Sequence, residues 1–121
     1  MTERRFSCDT EGLAGAQAFL ESVCEEPKPA VVMDEIVSNI VRCSGASAFT
    51  IRLDQTSEGL EMVFADDGAA FDPTTDAATP DITAAAADRG IGGLGIFMVK
   101  KMSKSVSYRR DGERNVLTVV M

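Results

Sequence analysis

Four segments of alternating apolar and polar residues constrain the fold of this chain most strongly. They occur as two consecutive pairs, 48–53 with 60–64 and 105–110 with 115–120. Alternation with a period of two residues is typical of strands that bury one face. A loop over 54–59 separates the first pair, and the Asp111-Gly112 turn signal separates the second. Each pair therefore predicts an antiparallel hairpin.

Apolar residues at helical spacing predict two helices before the first hairpin. The first runs from Asp9 to Glu25, where Asp9 or Thr10 can cap its start, and Pro27-Lys28-Pro29 ends it. The second runs from Ala30 to Cys43 and is closed by Gly45.

A third helix is predicted over 94–102, directly before the second hairpin. Residues 1–8 predict a short edge strand or arm. Three helices against one face of a mostly antiparallel sheet make an α/β fold of the two-layer sandwich type. The 121 residues suit a single domain over 1–121. Within it, residues 72–91 have no sustained periodicity, which favours a lid or a disordered loop.

Composition excludes several classes of function. The net charge of −7 argues against nucleic acid as the main partner, because binding phosphates requires a basic face. No apolar run approaches the ~20 residues needed to span a bilayer. The first five residues are not followed by the apolar segment of a secretory signal. We therefore expect a cytoplasmic protein that contacts neither a membrane nor nucleic acid directly.

The chain contains no histidine, and none of its three cysteines is in CxxC spacing. These absences exclude Ser-His-Asp and Cys-His nucleophilic sites, and they give no sign of a zinc site or a disulfide framework. Acid-base chemistry would then depend mainly on carboxylates, lysines, cysteines or the one tyrosine.

Glu35 and Asn39 are four residues apart on the second predicted helix, so they lie on the same side, one turn apart. A solvated polar face is the simpler interpretation of such a pair. The functional interpretation is that Asn39 supplies a neutral oxygen to Mg²⁺. Glu35 would then accept a proton from a water or hydroxyl nucleophile.

The segment Asp66-Asp67-Gly68 follows the second strand of the first hairpin. Aspartate and glycine are turn formers, so an ordinary strand-ending turn is one interpretation. Alternatively, one carboxylate accepts a hydrogen bond from an exocyclic amine such as that of adenine, and Gly68 lets the backbone approach the base. Asp66 is the candidate for that role, whereas Asp67 is predicted to face solvent.

A glycine cluster, Arg89-Gly90-Ile91-Gly92-Gly93-Leu94-Gly95, leads into the third predicted helix. A flexible connector is one interpretation. A phosphate site is the other, because the backbone amides at a helix N-terminus bind anions. Arg89 adds a cation that can reach a terminal phosphate. The cluster is not a P-loop, since no Lys-Ser/Thr pair follows it.

Taken in order, three segments resemble the motifs of the gyrase/histidine-kinase ATPase superfamily, and the compact length resembles its anti-sigma-factor serine kinases. Residues 33–40 resemble the N box of the superfamily, 66–73 its first glycine box and 92–99 its second. The resemblance covers roughly residues 10–120. It implies the Bergerat-type sandwich, with 72–91 as the ATP lid.

The resemblance also assigns roles to individual residues. Asn39 would lie at Mg²⁺, and Glu35 would be the general base. Asp66 and Gly68 would bind adenine. The phosphates would be bound by the glycine cluster, namely by Arg89, Gly92, Gly93, Leu94 and Gly95.

The implied activity is ATP-dependent phosphorylation of a serine or threonine on an anti-sigma factor antagonist of the STAS type. Sequestration of a sigma factor and homodimerisation are also implied. Two alternatives stay open at this point. One is a regulatory module that binds partners in a nucleotide-dependent way without catalysis, and the other is the isolated ATP-binding domain of a histidine kinase.

Overall fold

The computed structural model describes residues 2–70 and 98–121. The helices are α1 (Thr10–Glu21) and α2 (Pro27–Asn39), together with residues 98–102, the described part of α3. The strands are β1 (Thr2–Ser7), β2 (Ala48–Thr56), β3 (Gly59–Asp66), β4 (Ser105–Asp111) and β5 (Arg114–Val120).

The five strands form one sheet in the order β1-β2-β3-β5-β4, and each neighbouring pair is antiparallel. The predicted hairpins are β2–β3 and β4–β5, and β1 is the predicted edge strand. The pairing of β3 with β5 places Asp66 opposite Asn115 at one end of the sheet. This register sets the surroundings of the Asp66 carboxylate.

The hydrophobic core lies between one face of the sheet and the helices. Alternate residues of β2 and β3, such as Ile51 and Met62, are fully buried on this face. Val32 and Val37 of α2 pack in the same cluster, and α3 contributes Val99. The two-layer α/β sandwich predicted from the sequence is therefore confirmed.

The first helix begins where β1 turns back over the sheet. Asp9 caps the helix, because its Oδ1 accepts a hydrogen bond of 2.8 Å from the Gly12 amide. A Cβ at position 12 would lie 1.7 Å from the carbonyl oxygen of Ser7, so only glycine fits this crossing. The helix ends at Glu21, earlier than the predicted Glu25, and the hydroxyl of Ser22 at its C-cap donates to the carbonyl of Phe19 at 2.6 Å.

The prediction that α2 begins at Ala30 is wrong, because the helix begins at Pro27. Proline is compatible with the first turn of a helix, where backbone N–H groups have no intrahelical acceptor. Pro27 and Pro29 therefore start α2 as well as separating it from α1. At its other end α2 continues into a π-helical turn, Ile40–Ser44, which the sequence did not predict. Gly45 closes this turn with φ of 68°, as predicted.

The loop predicted over 54–59 is shorter in the structure. Because β2 continues to Thr56 and β3 begins at Gly59, the connection is a tight turn at 57–58. The Thr56 hydroxyl stabilises this turn by donating to the carbonyl of Gly59 and accepting from the amide of Glu58. Gly59 has φ of 130°, and a Cβ there would lie 2.1 Å from the Met121 carbonyl oxygen. The extra residues lengthen the ladder without changing which side chains face the core.

Two predictions fall outside the described residues, namely the lid over 72–91 and the glycine cluster with its helix start. A single domain over 1–121 likewise stays a prediction.

Candidate functional site

Glu35 and Asn39 lie on the last turns of α2, where the helix meets the core. Asn39 is buried, and Glu35 is half-buried. Their i, i+4 spacing places both side chains on one side of the helix, as the sequence predicted. The helix is held there by Ile36 and Val37, which are packed in the core between them.

The Glu35 carboxylate is incompletely hydrogen-bonded. Its Oε1 atom is buried and has no hydrogen-bond partner among the residues that the structure describes. Burial raises the pKa of Glu35 above its ordinary value, the nearby Asp34 carboxylate adds to the rise, and the Arg42 guanidinium opposes it. A carboxylate with a raised pKa is a better proton acceptor than a solvated one. A buried, unpartnered carboxylate oxygen also costs stability, so a structural role does not explain it.

Glu35→Gln is expected to change how stability depends on pH. Because the pKa of Glu35 is raised in the folded state, its contribution to the free energy of unfolding is fully present below pH 4.5. That contribution is lost as pH rises through the folded-state pKa. The free energy of unfolding of Glu35→Gln should therefore increase relative to that of wild type as pH rises from about 4.5 to 8. Urea denaturation across this range measures the difference. Glu113→Gln, in the exposed β4–β5 turn, is the control, and equal profiles for wild type and Glu35→Gln would contradict the assignment.

Asn39 is contacted by Arg42, in the middle of the π-helical turn. Its Oδ1 accepts a hydrogen bond of 3.5 Å from Nη2 of Arg42, whose Nε donates to the Ser38 carbonyl at 3.2 Å. The contact to Asn39 is at the long limit for a hydrogen bond. The amide oxygen is therefore weakly engaged, and a stronger cation or donor can displace Arg42 from it.

Asp66 is buried at the end of β3, on the face of the sheet that the helices cover. Its Oδ1 accepts hydrogen bonds from the Gly68 amide at 2.9 Å and from Nδ2 of Asn115 at 3.0 Å. Within the described residues, no donor contacts its Oδ2. Oδ1 therefore fixes the carboxylate, and Oδ2 is the oxygen that these contacts leave unengaged.

Asn115 holds this carboxylate in a saturated network that sequence reasoning missed. Its Oδ1 accepts from the Tyr108 hydroxyl at 2.6 Å and from Arg110 at 3.1 Å, while its Nδ2 also donates to the Ala69 carbonyl at 2.8 Å. Arg110 donates in addition to the carbonyl of Gly68 at 2.9 Å. The strand β5 therefore fixes both Asp66 and the turn that follows it. The one signal in the sequence was that Asn115 is an isolated polar residue at the start of an apolar strand.

Asp67 is exposed, as predicted, and it has a structural role. Its carboxylate accepts hydrogen bonds from the amide and the hydroxyl of Ser47, at 2.9 and 2.6 Å. These bonds lower the pKa of Asp67. They connect the end of β3 to the start of β2, so the two adjacent aspartates make separate contacts.

The described site consists of two clusters, one around Glu35 and Asn39 and one around Asp66 and Gly68. Within the described residues, no hydrogen bond joins these two clusters. The remaining predicted site residues lie outside the described part of the chain, and they are Arg89, Gly92, Gly93, Leu94 and Gly95. Their assignment to phosphates stays a prediction.

The amide oxygen of Asn39 fits a hard cation, because it is neutral and only weakly engaged by Arg42. Among the described residues, no group of three or more acidic or cysteine side chains is arranged to hold a metal. A magnesium ion here would therefore take most of its ligands from phosphates and water, which is its usual behaviour in nucleotide sites.

No helix in the described ranges is long and apolar enough to cross a membrane.

Comparison with known proteins identifies the family. A family model described as a histidine kinase-like ATPase domain matches residues 6–121. The serine/threonine-protein kinase BtrW of Bordetella bronchiseptica is 31% identical over 87 residues, which are 72% of this chain and 61% of that protein. This chain thus spans about three fifths of the length of that relative.

The fold also matches a solved structure, the Acinetobacter baumannii histidine kinase AdeS. The alignment covers 98% of this chain and 66% of that chain, with a TM-score of 0.60 and 15% sequence identity. At this identity the likeness shows the fold alone. Together with the family match over nearly the whole chain, it shows that this protein belongs to the histidine kinase-like ATPase domains, a family that binds ATP.

Proposed function

We propose that this chain is an Mg-ATP-dependent protein kinase that phosphorylates a serine or threonine of a small anti-sigma factor antagonist. In the same partner-switching system it sequesters a sigma factor, and it acts as a homodimer in the cytoplasm. The observation that carries the proposal is that the buried Oε1 of Glu35, one turn before Asn39, has no partner within 2–70 and 98–121. The name of the relative BtrW, a serine/threonine-protein kinase, supports the same acceptor class.

Glu35 is the general base of the proposed reaction. Its carboxylate accepts the proton of the acceptor hydroxyl, whose oxygen bonds to the γ-phosphorus of ATP. The bond from that phosphorus to the β–γ bridging oxygen breaks, and ADP leaves. Because the pKa of Glu35 is raised by burial, the carboxylate binds this proton more strongly than a solvated glutamate does.

Positioning and charge stabilisation supply most of the remaining catalysis in phosphoryl transfer. Asn39 would hold a magnesium ion through its amide oxygen, which is only weakly engaged by Arg42. When bound, magnesium supplies positive charge to the phosphates. Arg89 and the backbone of Gly92, Gly93, Leu94 and Gly95 are proposed to hold those phosphates.

Asp66 is proposed to accept a hydrogen bond from the adenine amine through Oδ2. Asp66→Asn keeps an oxygen for the Gly68 and Asn115 donors but presents an NH₂ group where the amine would approach. We expect ATP and ADP affinity to fall by about 10- to 100-fold, since a charged hydrogen bond is lost and two donors oppose each other. GTP affinity should not fall, because guanine carries a carbonyl at the equivalent ring position. Isothermal titration calorimetry with the three nucleotides measures both effects.

Asp67→Asn is the matched control, because it removes the neighbouring carboxylate, which contacts Ser47 instead of the site. Its nucleotide affinities should equal those of wild type. Equal ATP affinity for wild type and Asp66→Asn, with both folded by circular dichroism, would remove Asp66 from the adenine site.

The function itself is tested by incubating the chain with γ-labelled Mg-ATP and purified STAS-domain antagonist proteins. Label is expected on a serine or threonine of one antagonist, stable to acid, as phosphate esters of hydroxyls are. Label on a histidine would instead favour an isolated histidine-kinase domain. The absence of transfer to every antagonist would contradict the kinase proposal.

One observation favours a second function. The Arg42 guanidinium lies 3.5 Å from the Asn39 oxygen proposed for the metal, and its positive charge would oppose that of a metal ion held there. A nucleotide-dependent binding module without turnover would tolerate that competition. Complex formation with an antagonist or sigma factor that requires ATP, without label transfer, would favour this alternative.

A further inference from the structure

A cleft beside Glu35 combines an exposed apolar rim with a carboxylate whose Oε1 atom has no partner among the described residues. It has a volume of about 90 Å³ and lies between α2 and α3. Its apolar walls are Val31, Val32, Met98, Val99 and Met102, and its polar wall is Asp34 with Glu35.

Val31 and Met98 form the rim of this cleft on opposite sides. They are 48% and 47% exposed, and they are the large apolar side chains that the described residues leave exposed. Neither is needed to fill the core, which Val32 and Val99 close beneath them. Exposed apolar residues at the mouth of a cleft are typical of a surface that binds a partner.

The spacing along α2 ties this rim to the proposed chemistry. Val31 precedes Glu35 by four residues, so the two side chains lie on one stripe of the helix. When the hydroxyl of a phosphoacceptor protein reaches the Glu35 carboxylate, the residues next to that serine or threonine therefore lie over Val31 and Met98.

The size and charge of the cleft restrict its occupant. An apolar cavity of ~150 Å³ holds a benzene molecule, so this smaller cleft fits one aliphatic side chain rather than an aromatic one. Asp34 and Glu35 make the polar wall negative, which repels acidic residues in the occupant and attracts basic ones.

We propose that the cleft is the docking groove for the phosphoacceptor segment, and that it selects a valine, leucine, isoleucine or methionine close to the accepting serine or threonine. The proposal rests on the kinase activity proposed above. It makes Val31 and Met98 specificity-determining residues, with no part in binding ATP.

An array of immobilised peptides tests the groove. Each peptide carries a central serine or threonine, and one flanking position is varied between leucine, serine and aspartate. The full chain with Mg-ATP is assayed on the array for binding and, in parallel, for transfer of γ-label. Wild type should prefer leucine at one position by about tenfold in binding, a difference typical of burying an aliphatic side chain.

Val31→Ser and Met98→Gln should each lose that preference while ATP affinity is unchanged. In transfer they should raise KM and leave kcat within about twofold, because uniform binding is removed. Val63→Ser, a half-buried valine on the opposite face of the sheet, is the matched control and should behave as wild type. Glu35→Gln should keep the leucine preference in binding and lose label.

The outcomes separate this proposal from the kinase activity. Transfer of label without a leucine preference would overturn the docking groove but not the kinase activity. Variants at Val31 and Met98 that bind the peptides as wild type does would have the same consequence. A leucine preference that depends on Val31 and Met98, without any label, would support the groove and contradict the kinase. Loss of a homodimer in either variant, measured by analytical ultracentrifugation, would show that a second copy occupies the groove and would overturn the proposal.

Discussion

Glu35→Gln is expected to lower the rate of phosphoryl transfer by about 100-fold or more, with ATP affinity within about threefold of wild type. Glutamine has nearly the same shape as glutamate but does not accept the proton of the acceptor hydroxyl. The substitution also removes a half-buried charge whose Oε1 atom has no partner in the described part of the chain. The variant should therefore be at least as stable as wild type at neutral pH, and its loss of transfer should not come from unfolding.

The measurement is a single-turnover assay with γ-labelled ATP and an antagonist, followed across pH. The wild-type rate should fall as pH drops through the raised pKa of Glu35, since protonation removes the base. Glu61→Gln is the control, because Glu61 is a half-buried glutamate that pairs with Arg52 at 3.4 Å on the opposite face of the sheet. A Glu35→Gln variant that transfers phosphate at the wild-type rate would remove Glu35 as the base.

Asn39→Ala is expected to abolish the increase in ATP affinity that Mg²⁺ produces. The oxygen that would face the metal is lost, and ATP affinity in the presence of Mg²⁺ should fall by about tenfold or more. Without Mg²⁺ the affinity should change little, because adenine is proposed to be held at the Asp66 cluster. Calorimetric titration with ATP, with and without Mg²⁺, measures both values.

Two further variants make the Asn39 result specific. Asn39→Asp keeps an oxygen and should retain the effect of Mg²⁺. Ser38→Ala, at the adjacent half-buried position of α2, should bind as wild type. If Asn39→Ala were folded and still showed the full Mg²⁺ effect, Asn39 would not be the metal ligand.

The sequence predicted the parts of this fold that depend on local periodicity. Alternation identified both hairpins, and the i, i+4 spacing correctly placed Glu35 and Asn39 on one side of α2. Local patterns did not predict the π-helical turn after Asn39, because a π turn has no distinct apolar period. They also misplaced the start of α2, since proline both ends one helix and fits the first turn of the next.

The network around Asp66 depends on long-range pairing, and for that reason it was not predicted. Asn115 is 49 residues from Asp66 in sequence, and it reaches the carboxylate because β3 pairs with β5 in one register. The sequence correctly predicted that Asp67 faces solvent, whereas the adenine role of Asp66 stays a prediction. It gave no reason to expect that Arg110 and Tyr108 would hold the amide of Asn115 from a third strand. The roles of Arg89 and of Gly92 to Gly95 stay predictions.

The central claim is that ATP binds between the end of α2 and the end of β3. Two-dimensional ¹H–¹⁵N NMR of the wild-type chain, titrated with ATP and then with Mg²⁺, tests it most directly. ATP should shift the backbone amide signal of Gly68 and the side-chain amide of Asn115, and Mg²⁺ should then shift the side-chain amide of Asn39. The amides of Val63 and Thr118 on the open sheet face should not move. Saturable ATP binding that leaves Gly68 and Asn39 unshifted would contradict the account.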